Sequence, residues 1–436
     1  MASFTGQPGT SSASVPADVK KATIKSESGT TVDLTGGFLL LKYYESLMQD
    51  AIFLDYTFVD TGNTIEGKSL IEGLPVNTSE EFAVEFEDNN NVSLKLDFIV
   101  NKVSPTDFEN KTAVHFNLVT EEFLLNENTS INKRMDGKIS DHIRMILEDE
   151  EYLATEKKLD IEETDNDYNF IPNKKKPYYT MNWLSPKSVP AKDGKKGESA
   201  GFILYETSEG YHFKSIDALF AQKKKKSFIF TGSTDKAGVP AGYDAKILEH
   251  KSDNLINLKR KLQFGAFGTK MVRFDPFNCF YEEKEQTAEE TKGGTTSAGK
   301  DIAKIDKKFC DKSSRTTFML VDKGTLPSGD NEEQIKKNEE ETFESLEILN
   351  QAIRRYNQMY SSMETITIAG DFSLHAGDAI YVDTPAIEED HCGHEMNSRN
   401  GGLYIISDLC HYVSSKETYT KMNIIRDSFG RKPKGR

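Results

Sequence analysis

The sequence Thr365-Ile366-Thr367-Ile368-Ala369-Gly370-Asp371-Phe372-Ser373-Leu374-His375-Ala376-Gly377-Asp378-Ala379-Ile380 is followed, after an acidic loop, by Gly402-Leu403-Tyr404-Ile405-Ile406-Ser407-Asp408-Leu409-Cys410-His411-Tyr412-Val413. It reads as a strand, a tight turn, a strand, a loop and a strand ending at His411. A last strand is expected at Tyr419–Arg426, before Asp427-Ser428. Gly370 and Gly377 flank the phrase that turns one strand into the next, and Gly377-Asp378 suits a left-handed corner, which glycine adopts without steric penalty. Upstream, Leu346, Leu349, Ile353, Tyr356 and Tyr360 recur every three or four residues between charges, which predicts an amphipathic helix over 339–361.

Working outward, residues 31–125 hold short runs rich in Val, Phe, Ile, Leu and Thr, punctuated by Thr61-Gly62-Asn63, Asp88-Asn89-Asn90-Asn91 and Ser104-Pro105. Val84 and Phe86, then Val92, Leu94, Leu96 and Phe98, alternate with polar residues, the pattern of strands with one buried face. The Asn-rich turn between them suits left-handed backbone. This region is expected to be an antiparallel β-unit, a small barrel or sandwich. Residues 126–230 mix a helix near Ser140–Glu150, the lone tryptophan Trp183 as a core or interface anchor, and a hairpin over Gly201–Phe213: an α+β unit. Residues 231–281 and 314–430 return to strands. Residues 282–313 are polar and low in complexity, a surface insertion. Residues 1–30 read as a flexible arm and 431–436 as a basic tail.

Composition narrows the function. The chain has 436 residues, 36% hydrophobic and 29% charged, enough for real cores. No run approaches the roughly 20 apolar residues that span a bilayer, and no signal peptide is visible. A net charge of −15 argues against a nucleic-acid-coating protein, and four cysteines do not make a disulfide scaffold.

Chemical motifs are sparse. G-x-S-x-G, G-x-x-x-x-G-K-[ST] and a helix-opening G-x-G-x-x-G are all missing. Glu121-Glu122 and Glu162-Glu163 read as solvated faces, as does the lysine run Lys223–Lys226. His391, Cys392 and His394 are the only metal candidates. Imidazole and thiolate suit zinc, with Cys410-His411 as further ligands if the strands bring them near. No C-x-x-C or H-x-x-x-H accompanies them, so a polar surface loop is the expectation. No catalytic residue, metal or cofactor is assigned.

The phrase G-D-F-x-L-x-x-G-D-x-I, then Y-x-I-x-x-x-x-H, resembles the baseplate central hub protein of contractile-tailed bacteriophages, related to late-control tail proteins and to the hub part of type VI secretion spikes. It rests on about 60 residues, 364–427, and on Gly370, Asp371, Leu374, Gly377, Asp378, Tyr404 and His411 as structural positions. Trp183-Leu184, Gly201–Glu206 and Tyr211–Phe220 agree in order. The resemblance implies a mainly β, α+β chain with two tube-like antiparallel β-barrels, at 31–125 and at 231–281 plus 314–430 with the helix 339–361. The insert 126–230 would lie outside them.

It further implies a non-enzymatic homotrimer that adapts a hexameric tail tube protein to a trimeric tail spike protein, beside baseplate wedge proteins. DNA would pass through its lumen without specific binding. The chain would be made in the host cytoplasm, reside in the virion tail baseplate and insert into no membrane. The competing expectations are another baseplate component, such as a wedge or fibre-attachment protein, and a soluble metal-dependent hydrolase using His391, Cys392 and His394.

Overall fold

The computed structural model describes residues 15–431 except 63, 66, 75, 77, 109–110, 192–199, 232–238, 255–256, 277–278, 288–295, 302–305, 307–308, 310–312, 323–330, 333–343, 386–395 and 398. The N-terminal strands are β1 (Asp18–Lys25), β2 (Thr31–Asp33), β3 (Phe38–Ser46), β4 (Phe53–Asp60), β5 (Glu81–Glu87), β6 (Ser93–Phe108) and β7 (Lys111–Val119). They pair in the order β2-β1-β5-β6-β7-β4-β3. The alternation read between Val84 and Phe98 is real: Phe82, Val84, Phe86, Leu94 and Phe98 are buried in one core. Asn91 takes φ +60°, the left-handed conformation expected of its turn. Residues Asp18–Lys25, read as part of a flexible arm, form a strand instead: Ala22 and Ile24 of β1 are fully buried and β1 pairs with β5.

The insert contributes α2 (Glu121–Asn128), α3 (Ile139–Glu148), α4 (Pro177–Leu184) and α5 (Ile216–Ala221), after the single turn α1 (Leu70–Gly73). Its strands β8 (Leu159–Ile161), β9 (Phe202–Thr207) and β10 (Gly210–Ser215) make a separate three-stranded sheet. The remaining elements are β11 (Lys226–Ile229), β12 (Ala245–Lys246), β13 (Glu249–Asn254), α6 (Leu258–Phe264), β14 (Gly268–Asp275), β15 (Phe280–Thr287), β16 (Arg315–Leu320), α7 (Ser345–Met359), β17 (Ser362–Ala369), β18 (Ala379–Asp383), β19 (Gly402–Ser414) and β20 (Thr418–Arg426). Strand β15 carries ordered pairing into the stretch read as an insertion, with Phe274 opposite Tyr281 and Gly268 opposite Thr287.

The β19 strand joins the halves. Its first residues pair with β18, and Asp408 to Ser414 pair with β3 of the N-terminal lobe. Its other edge carries β20, which carries β17 and then β13. The result is one 14-stranded sheet. A bulge between Ile406 and Asp408 changes the phase of β19, as an extra residue in one strand must. Tyr404 and Ile406 before it, and Leu409 and Val413 after it, thereby all reach the same core. The fold is mainly β, of α+β class, as expected, and the strand order does not close into a barrel among the described residues.

Helix α7 buries more than the apolar stripe read from its sequence. Leu346 is buried and Leu349, Ile353, Tyr356 and Tyr360 are half-buried, but Ile348, Gln351, Ala352, Arg355 and Met359 are buried as well. Gln351 and Arg355 occupy the inner face because they find partners there, the Ala200 N–H and Asp217, which hydrophobic periodicity does not register. Ile348 and Ala352 join the core of the insert rather than that of the large sheet.

Candidate functional site

The turn Gly370–Asp378 between β17 and β18 is where the three parts of the chain meet. Gly370 donates its N–H to the Thr418 carbonyl (3.1 Å), and a Cβ there would run into the Thr418 side chain. Asp371 is buried; its Oδ1 accepts from the Ser373 hydroxyl (2.7 Å), and its other oxygen pairs with Lys226. Burial pushes the Asp371 carboxyl up, but the Lys226 ammonium and the Ser373 bonds outweigh it and hold it below the usual range. The Phe372 N–H donates to Asp88 Oδ2 (2.8 Å), while Asp88 Oδ1 accepts from Asn90 and Val92 in the β5–β6 turn. One carboxylate thus shapes the N-terminal hairpin and holds the C-terminal phrase. Phe372 and Leu374 fill the shared core.

The second half of the turn is equally constrained. Asp378 Oδ2 accepts from the His375 N–H and from Lys225 Nζ, both at 2.8 Å. Gly377 has φ +88°, donates to the Ile406 carbonyl (2.8 Å), and lies so close to the Tyr205 ring of β9 that a Cβ would collide with it. The lysine run is therefore half structural: Lys225 and Lys226 pair with Asp378 and Asp371 rather than standing free in solvent.

Beneath the turn lies Glu45 of β3, which sequence reasoning did not single out. Its carboxylate is fully buried. It accepts from the Tyr43 hydroxyl (2.7 Å), the Ser208 N–H (3.0 Å), the Ala376 N–H (2.8 Å) and His375 Nδ1 (3.1 Å). Burial alone would raise this carboxyl; the His375 charge and the hydrogen bonds reverse that and lower it. For His375 burial works downward, but Glu45 wins and raises it. The available signal was a charged residue on the inward phase of a strand, two residues after the inward Tyr43.

His411 and Tyr404 both lie on β19 with buried side chains. His411 is completely buried, stacks on Tyr43 (5.8 Å between rings) and bonds to the Thr420 hydroxyl through Nδ1 (2.9 Å). Burial pushes it down to about 4, so it is neutral. The Tyr404 hydroxyl donates toward Glu364 Oε1 (3.0 Å) and the Asn400 carbonyl (2.6 Å), beneath the guanidinium of buried Arg426.

Two further buried ionic clusters bind the parts together. Lys157 bridges Glu122 and Glu206, at 2.6 Å each, and Glu206 also accepts from the Ile52 N–H (3.1 Å). Burial, with Glu122 nearby, pushes Glu206 up to about 7 despite Lys157. Lys157 itself is held above its ordinary value: burial works downward, but the two carboxylates outweigh it. On α7, Arg355 spans Asp217 of α5 (2.6 Å) and Asp427 (3.2 Å) and also donates to the Thr296 carbonyl (3.0 Å).

A cleft of about 310 Å³ opens over the seam, lined by His375, His212, Glu209, Asp160, Lys214 and Asp378 among others. Its second histidine is fully engaged, Nε2 with the Thr207 hydroxyl (2.9 Å) and Nδ1 facing Asp160 (3.4 Å). Among the described residues no three His, Cys, Asp or Glu side chains converge as metal ligands. The candidates His391, Cys392 and His394 lie outside the described residues. No helix among the described residues is long and apolar enough to cross a membrane. The arrangement locks three chain segments together through internally satisfied charge.

No protein-family model matches the chain, and no curated protein matches it in sequence. Solved structures do match. The 43 kDa tail protein of prophage MuSo2 from Shewanella oneidensis aligns with a TM-score of 0.53 at 10% identity, over 94% of this chain and 98% of that one. A tail protein from Neisseria meningitidis MC58 aligns with a TM-score of 0.52 at 9% identity, over 93% and 96%. The similarity runs nearly end to end in both. The resemblance read from residues 364–427 therefore agrees with the fold, which this chain shares with these two tail proteins.

Proposed function

We propose that this chain is a structural component of a phage-type tail baseplate and serves as its central hub. The observation that carries this reading is the near-complete overlap with the MuSo2 tail protein, which takes in 94% of this chain and 98% of that one. A shared segment would support a shared module; overlap of this extent supports a shared overall design. The residue chemistry points the same way. Asp371, Glu45, Arg355 and Glu206 are turned inward and spent on internal partners, as suits a part that bears load rather than turns over substrate.

In this reading three copies form a ring that meets a hexameric tail tube protein on one side and a trimeric tail spike protein on the other, with wedge proteins outside. Cyclic symmetry requires two different patches per copy, joined head to tail. The net charge of −15 suits a lumen that DNA crosses without sticking. No catalysis, metal or cofactor is part of it.

The test is the mass of the purified protein by light scattering, alone, with a chelator, and co-expressed with the spike protein from the same genome. A species of three chain masses alone, or of three chain masses plus the spike trimer when co-expressed, unchanged by chelator, is expected. A monomer that stays monomeric and unbound beside its spike overturns the hub assignment.

A further inference from the structure

We propose that His375 is a protonation-controlled latch, holding the β9–β10 hairpin of the insert onto the seam between the two β-lobes. The geometry is specific to this residue. His375 sits on the turn before β18, its Nδ1 3.1 Å from Glu45 Oε1 of β3, and its Nε2 3.8 Å from Glu209 Oε1 at the hairpin tip. The same Glu45 carboxylate accepts the Ser208 N–H from that tip. One imidazole thus stands between a buried carboxylate of the N-terminal lobe and a half-exposed carboxylate of the insert.

The other charged groups around it do not supply a substitute cation. On its own turn, Asp378 is neutralised by Lys225, and Asp371 by Lys226. On the insert, His212 faces Asp160, which also pairs with Lys214 at 2.6 Å; burial pushes His212 down. Tyr43 on β3 and Tyr205 on β9 are buried phenols held well above their ordinary range, hence uncharged, and His411 on β19 is neutral. Without the His375 proton, Glu45 and Glu209 face each other's lobe with no positive charge between them.

The direction with pH follows. His375 is raised in the folded chain, so its contribution is complete below its ordinary value of 6.5 and is lost as pH rises through its folded value. Glu45 is lowered, so its contribution is present above 4.5 and lost as pH falls through its own folded value. The latch is tight in mildly acidic solution and loosens on the alkaline side.

The experiment is amide hydrogen exchange of the intact chain at Ser208 and Ala376, both donors to Glu45, across pH 6–9 and corrected for intrinsic rates. Wild type is expected to open several-fold more often above the His375 titration than below it. Glu209→Gln, at an exposed position, is expected to shift that step to lower pH. His375→Gln is expected to open at the high rate at every pH, with no step. A wild type without a step, or a Glu209→Gln variant whose midpoint does not move, overturns the latch even if His375→Gln proves too unstable to study.

Discussion

Glu45 and His375 stand 330 positions apart in sequence and 3.1 Å apart in the fold. Glu45 belongs to the strand that ends the N-terminal lobe, and His375 to the turn that opens the C-terminal strand pair. The contact joins the two lobes, and the insert hairpin adds the Ser208 N–H to the same carboxylate, so all three parts of the chain converge on Glu45.

Removing the charge of Glu45 should therefore destabilise every part at once. Glu45→Gln leaves His375 without its counter-ion in a buried site, and loss of one member of a buried ion pair costs about 3 kcal/mol or more. The midpoint of denaturant unfolding should fall, with fluorescence and circular dichroism moving together. A variant that unfolds only in the insert would contradict the seam's role.

Gly377 makes a separate, steric demand. Gly377→Ala should cost about 2 kcal/mol, from a φ of +88° and collision with the Tyr205 ring. Tyr205→Phe removes the hydroxyl that the new methyl meets first, so the double variant should recover part of the loss. Strict additivity in the thermal midpoints of the two single variants would show that the ring is not the obstacle.

Arg355 should be irreplaceable by lysine. Its fork reaches Asp217, Asp427 and the Thr296 carbonyl together, and an ammonium cannot span the three. Arg355→Met should cost about 3 kcal/mol or more, since it strands two carboxylates. Arg355→Lys should recover less than half of that in the same denaturation experiment.

Glu206 gives a signature in pH. Its folded value of about 7 lies above the ordinary 4.5, so the stability it contributes is complete below 4.5 and is lost as pH rises toward 7. Glu206→Gln mimics the protonated form. The stability difference, variant minus wild type, should grow from pH 4.5 to 7 and then level. A difference that stays constant with pH would mean that Lys157 keeps Glu206 ionised throughout.

The parts of this fold legible in the sequence were those fixed by local rules. Alternation marked β5 and β6, and the Asn-rich turn between them is left-handed at Asn91 as its composition required. Gly370 and Gly377 marked a turn because each occupies a place where a Cβ has no room. The illegible parts were those decided by partners far along the chain. Nothing near Asp18–Lys25 announces that Ala22 and Ile24 will be covered, because their cover comes from other strands. The buried face of α7 is wider than its apolar spacing suggests, because Arg355 and Gln351 are buried by hydrogen bonds, to Asp217, Asp427 and the Ala200 N–H, and not by being apolar. Glu45 was passed over for the same reason: its meaning lies in His375, Ser208 and Ala376.

The position of β19 also sets a hazard during synthesis. Ser46 on β3 finds its partner in Asp408, so a ribosome must add more than 350 residues before that edge is covered. At roughly 5–20 residues per second, the nascent N-terminal lobe exposes an open strand edge for tens of seconds. Such an edge is a template for pairing with a neighbouring nascent chain. Cells making this protein from crowded polysomes should lose part of it to aggregates rich in N-terminal fragments, and slowing translation late in the message should enlarge that share.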